Sequence, residues 1–254
     1  MFTKCKVVLT LVLFLLCASN AVAAENLAVK LGYQLLSPEG SLAGTVNGVG
    51  QQLDVDDDLN LDDSEGFTGE IALHWARSRL AFNYLDFGFS GTGTLTAAGE
   101  FNGQSFSVDD RVDTDLNINL YDFSYTFNLI NLTDLPARFQ LGPEVAVKVV
   151  DIDLRFDDLT QGFSETEAVT VPIPTIGARA RVALADFIGL VGRISYLEID
   201  ENYFLDAEAQ LEFSPVPLVG IYLGARLFEV QVEEDDLYVE TEFSGPYGGL
   251  LVRF

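Results

Sequence analysis

Strict alternation of apolar and polar residues, repeated along most of the chain without any long apolar run, is what most limits the fold. Leu27, Val29, Leu31, Tyr33 and Leu35 interleave with Ala28, Lys30, Gly32 and Gln34. Phe67, Gly69, Ile71, Leu73 and Trp75 interleave with Thr68, Glu70, Ala72 and His74. Later, Leu205, Ala207, Ala209, Leu211 and Phe213 oppose Asp206, Glu208, Gln210 and Glu212. A period of two describes a strand with one apolar face. At about ten residues per segment, such a strand crosses a hydrocarbon core with one face to lipid and one to a polar lumen. Although 48% of the residues are hydrophobic, no stretch after residue 24 reaches the ~18 apolar residues that a membrane helix needs.

Ten such segments are expected, at 26–36, 66–77, 79–90, 114–129, 136–150, 167–184, 188–200, 203–214, 216–230 and 238–254. They predict an all-β fold: a single antiparallel up-and-down transmembrane β-barrel of ten strands. Eight is the alternative if two segments near 188–214 merge into other elements. At Tyr84-Leu85, Leu120-Tyr121, Val149-Val150 and Leu227-Phe228 two apolar residues follow one another. These predict bulges, or points where a strand leaves the membrane band. Pro172 and Pro174 require a bulge or an unpaired edge.

The connectors alternate as well. Short links at Arg77-Ser78-Arg79, Ala185-Asp186-Phe187 and Ser214-Pro215-Val216 contrast with long polar segments at 37–65, 91–113 and 151–166. Short turns on one side and long loops on the other match the periplasmic and extracellular ends of a bacterial barrel. Asn102-Gly103 predicts a type I′ hairpin turn within the second long segment. A soluble β-sandwich also alternates, but it does not call for two aromatic girdles. Here Trp75, Phe127, Phe139, Phe213 and Phe254 fall near the short turns, and Tyr33, Phe67, Phe89, Tyr196 and Tyr238 near the long loops.

The chain start sets the expected compartment. Lys4 and Lys6, the apolar run Val7–Leu16 and the small residues Ala18–Ala24 predict a signal peptide over 1–24, leaving 25–254 as the barrel. Cys17 lacks a small residue before it, Leu16 standing there, so lipidation is not expected. Both cysteines, Cys5 and Cys17, lie in that segment, so the exported protein has no disulfide and no thiol. Losing Lys4 and Lys6 takes the net charge from −25 to −27 (−25 − 2), which excludes a nucleic-acid partner.

The chain ends Tyr247-Gly248-Gly249-Leu250-Leu251-Val252-Arg253-Phe254. Tyr247, Gly249, Val252 and Phe254 resemble the C-terminal assembly signal of Gram-negative outer-membrane proteins. That resemblance implies the barrel-assembly machinery as a partner and the outer membrane, with its lipid and lipopolysaccharide, as the location. By parity Val252 and Phe254 face lipid, while Gly249 and Arg253 face the lumen. The stretch Leu53-Asp54-Val55-Asp56-Asp57-Asp58-Leu59-Asn60-Leu61-Asp62-Asp63 resembles the acidic entry to the second strand of small OmpA-like and OmpW-like barrels.

Residues 37–65 hold eight acids and no Lys or Arg. Asp54, Asp56 and Asp58 have the opening spacing of a calcium loop, but Leu59 replaces the required glycine and Glu65 is displaced, so an EF-hand fails. A weak divalent-cation site at Asp54, Asp56, Asp58 and Asp62 competes with a solvated acidic loop, which is the favoured reading. His74, the only histidine, points to the lumen without a companion nucleophile motif, so no catalytic residue and no cofactor are expected, a membrane hydrolase being the remote alternative.

Parity turns Lys30, Glu70, Asp86, Asp122, Glu144, Lys148, Arg179, Arg181, Arg193, Glu208, Glu212 and Arg226 inward. In a narrow barrel, mixed charges at that density predict a salt-bridged plug, since unpaired buried charges are costly. The expected function is therefore a structural or surface-interaction role with a largely plugged polar lumen. The alternative is a narrow, porin-like channel for small cations drawn in by acidic loops.

Overall fold

The computed structural model describes residues 27–46, 49–55, 58–101, 104–132, 138–200, 202–216, 218–234 and 237–254. The expected signal peptide over 1–24 and the Asn102-Gly103 turn lie outside these residues. The strands are β1 (Leu27–Val46), β2 (Val49–Asp54), β3 (Ser64–Trp75), β4 (Ser78–Thr94), β5 (Gly99–Phe101), β6 (Gln104–Phe106) and β7 (Arg111–Phe127). They continue as β8 (Ile130–Leu132), β9 (Arg138–Asp158), β10 (Phe163–Ala185), β11 (Ile188–Ile199), β12 (Asn202–Val216), β13 (Val219–Glu234) and β14 (Leu237–Arg253). The described residues contain no helix.

Ten of these strands close an antiparallel barrel in the order β1-β3-β4-β7-β9-β10-β11-β12-β13-β14, with β14 returning to β1. Ten strands, not eight, is the count. The closing pair aligns Ala28 with Arg253 and Gly44 with Leu237, so both ends of the barrel chain meet at the short-turn rim. Gly249 permits that closure, because a Cβ there would overlap the Leu31 carbonyl oxygen of the neighbouring strand.

The strands outrun their expected lengths at the long-loop side. Much of 37–65, 91–113 and 151–166 is paired backbone: β9 reaches Asp158 and β10 starts at Phe163, leaving only 159–162 between them. Polar character marked these stretches as loops because they rise past the membrane, where both faces of a strand can be wet.

The expected bulges at Tyr84-Leu85, Leu120-Tyr121, Val149-Val150 and Leu227-Phe228 do not occur. Pairing runs unbroken through all four sites. Register shifts fall instead near the short turns, between Ala183 and Ala185 and between Phe213 and Val216. Leu85, Leu120, Val150 and Phe228 are buried inward-facing residues. The lumen face itself becomes apolar there, which hides the alternation without shifting the strand.

The outer face carries exposed apolar side chains between two aromatic belts. Trp75, Phe127 and Phe213 stand exposed toward the short turns, and Tyr33, Phe67 and Tyr196 toward the long hairpins. In the second belt Tyr33 donates to Glu65 (3.2 Å) and Tyr84 to Asn119 (2.8 Å), each ring in the apolar band with its hydroxyl in a polar layer. Phe89 does not belong to a belt: it is 2% exposed and stacks inside on Phe243, with centroids 5.0 Å apart. Phe139 and Phe254 are half-buried, and the side chain of Tyr238 lies outside the described set.

Candidate functional site

Side chains line the lumen in three layers. At the waist, β7 presents Asp122, β9 Glu144 and Lys148, β11 Arg193, β12 Asp206 and β13 Arg226. Lys148 Nζ lies 2.9 Å from Asp122 and 2.6 Å from Asp206. Arg193 Nη2 reaches the same two carboxylates, and Arg226 grips Asp206 with Nε at 3.0 Å and Nη2 at 2.9 Å. Asp206 thus holds three cations. Arg193 Nε is 3.1 Å from Glu144 Oε1 but off the hydrogen-bond direction, and Thr126 donates to the other Glu144 oxygen at 2.6 Å. Arg226 also approaches Glu208 at 3.8 Å, and Tyr247 donates to Gln210 at 3.3 Å.

Toward the short turns lies a second cluster. Glu70 pairs with Arg79 (2.6 Å) and Lys30 (3.4 Å), while Glu212 pairs with Arg253 (2.6 Å), Arg181 (3.2 Å) and Lys30 (3.5 Å). Tyr222 and Tyr247 separate this cluster from the waist, their rings 5.9 Å apart. Gly32 makes room for them, since a Cβ there would overlap the Tyr222 hydroxyl.

Toward the long hairpins the lining turns apolar. Phe87 stacks on Phe228 (5.8 Å) and tilts on Phe243 (6.0 Å), and Leu36, Leu85, Leu120, Val150 and Phe204 complete the layer. Above it Val55, Leu59, Leu61, Leu95, Phe106, Val112 and Phe156 extend the same cluster under the outer hairpins. The tips are tied to one another. Asp110 accepts from the Ser107 amide (2.7 Å) and the Gln161 side chain (2.6 Å), and these bonds hold its carboxyl below the usual carboxylate range.

Of the expected lumen residues, Lys30, Glu70, Glu144, Lys148, Arg179, Arg181, Arg193, Glu208, Glu212 and Arg226 all lie within the barrel wall's inner face, joined by Asp122. Asp86 does not. It is exposed on the outside, because β4 keeps its register through Leu85 and Phe87, which take the inward positions. Three central members escaped the expected network: Arg79, Asp206 and Tyr222. Asp206 is in phase with Glu208 and Glu212, and Tyr222 with Arg226, so parity carried along those strands finds both. Arg79 is out of phase with Asp86, the residue assigned inward on β4, and is hidden by that assignment.

His74 is half-buried among Arg79 and Arg181 in the short-turn cavity. Asp58 is buried, its Oδ1 accepting from the Thr96 amide at 2.9 Å, and Asp62 is exposed. Asp56 and the side chain of Asp54 lie outside the described set, and the described residues contain no grouping of three or more metal-type ligands. In the C-terminal motif, Tyr247 is buried in the lumen while Val252 and Phe254 are half-exposed.

Neither a protein-family model nor a curated protein matches the sequence. Among solved structures, the chain is similar to the outer membrane protease OmpT of Escherichia coli, at 11% identity over 93% of this chain and 99% of that one, with a TM-score of 0.56. It also aligns with the translocator domain of the autotransporter NalP from Neisseria meningitidis (10% identity, 99% of this chain and 97% of that one, TM-score 0.42) and with Neisserial surface protein A (10%, 92% and 100%, 0.36). The first likeness is one of fold alone, and the other two scores are too low to argue from. Ten closed antiparallel strands with an apolar, aromatic-belted exterior define a small outer-membrane β-barrel. In this chain the lumen holds an ion-paired waist beneath an aromatic layer.

Proposed function

We propose that this barrel is a closed outer-membrane element acting through its exterior and outer hairpins, in a structural or surface-interaction role. The double filling of the lumen supports this most strongly. Lys148, Asp122 and Asp206 are fully buried at the waist, and Phe87 and Phe228 cover them at 3% and 2% exposure. Ion pairs with every member engaged form a barrier, since hydrating one charge means releasing its partners.

The C-terminal motif at the short-turn rim supports a periplasmic position for that rim, with β14 offered to the barrel-assembly machinery. The long hairpins then face outward, carrying exposed acids such as Asp62, Asp63, Asp153, Glu167 and Glu198. Such a surface meets lipopolysaccharide phosphates favourably only through bridging divalent cations. A channel for small cations would have to pass Lys148, Arg193 and Arg226, which stand in the waist. Protein refolded into planar bilayers is expected to give no conductance steps. Steady steps of uniform size would overturn the closed reading.

A further inference from the structure

We propose that the cavity at the short-turn end of the lumen binds a small multivalent oxyanion of the phosphate or sulfate class. The cavity has a volume of about 330 Å³ and is lined by Lys30, Arg79, Arg179, Arg181 and Arg253. These are five of the fourteen Lys and Arg residues in a chain of net charge −25, so their gathering does not follow from composition. Glu70 and Glu212 are the only carboxylates among the described lining residues, and between them they serve Lys30, Arg79, Arg181 and Arg253.

Arg179 is left over. It is 7% exposed, and its guanidinium has no ion pair or hydrogen bond among the described residues. Arg79 is 2% exposed and uses Nη2 on Glu70, but its Nε and Nη1 have no partner among the described residues. Both guanidinium groups line the one cavity. A buried guanidinium without a contacting carboxylate, as in Arg179, or with donors left unmatched, as in Arg79, is costly. A tetrahedral oxyanion supplies what is missing, because its paired oxygens match the guanidinium fork and its charge offsets both groups at once. A monocarboxylate offers one such edge and a single charge, so it binds more weakly.

The test titrates the whole protein, refolded in zwitterionic detergent at low ionic strength, with inorganic phosphate by calorimetry. Saturable binding near one phosphate per barrel is expected, weakened at least tenfold in Arg179→Gln and unchanged in Arg155→Gln at the outer hairpins. Acetate is expected to bind at least tenfold more weakly than phosphate. Heat-modifiable gel migration verifies folding, and Arg181→Gln serves in the same way should Arg179→Gln fail to fold. Absence of saturable phosphate binding, or equal binding by the wild type and the cavity variant, overturns the proposal. Adding phosphatidylglycerol to the micelles separates the sources of the phosphate group. Competition assigns the site to a lipid headgroup, and undiminished binding assigns it to a free anion.

Discussion

The two halves of the lumen are built on the same strands yet filled by opposite chemistries. On four strands the change happens within one inward step: Leu120 to Asp122, Val150 to Lys148, Phe204 to Asp206 and Phe228 to Arg226. Arg226 even lies over the Phe228 ring, 4.5 Å from its centroid. A barrel wall sets only which side chains point inward; what they are is free to change from one step to the next. The contrast also has an energetic side. The apolar layer keeps water from the waist on the long-hairpin side, which strengthens each ion pair there and makes each charge depend on its partners. Aromatic packing above has no such dependence, and losing one ring leaves a cavity rather than a stranded charge.

Asp206→Ala should have the largest effect. It strands Lys148, Arg193 and Arg226, and an unfolding titration in urea should register a loss of about 3–5 kcal/mol, typical of breaking a buried ion pair. Trp75 fluorescence supplies the signal. A loss below about 1 kcal/mol would mean that water reaches the waist and already screens these charges. Phe87→Ala should follow, at about 3 kcal/mol for a buried ring removed from a stack. Were it to exceed Asp206→Ala, the aromatic layer and not the ionic waist would be the stronger part of the lumen.

The smallest effect concerns neither half but the hairpin tips above them. The Ser107 amide and Gln161 hold the Asp110 carboxyl below its ordinary value. Its contribution is therefore complete above the unfolded carboxylate value of about 4, and it is lost as the pH falls through the lower folded value. Hydrogen exchange at the Ser107 amide should accelerate only in acid. Asp110→Asn should make exchange faster at neutral pH and remove that acid dependence.

Strand number and the inward set were legible because a two-residue period survives any tertiary context in which one face meets lipid. Lys30, Glu70, Lys148 and Arg226 could be placed from parity alone. The outer half was not legible in this way. Where Leu85, Phe87 and Phe89 line the lumen, the outward positions are Asp86, Gly88 and Ser90, so the apolar and polar faces exchange places and a continuous strand looks like one that has slipped. That ambiguity moved Asp86 to the wrong side and assigned Phe89 to a lipid belt. The partners of each charge were not legible either. Asp206 gathers cations from three other strands, and such meetings depend on the shear of the closed barrel, which local alternation does not encode.

Pro172 and Pro174 sit where β10 rises past its last pairing with β11, at Ile176, while its ladder to β9 continues through both residues. Their missing N–H groups therefore fall on the free edge. An exposed strand edge invites the hairpin of a neighbouring molecule to continue the sheet, and prolines at alternate positions deny that neighbour its donors. At these positions the β9–β10 hairpin is therefore closed to use as a seam between molecules.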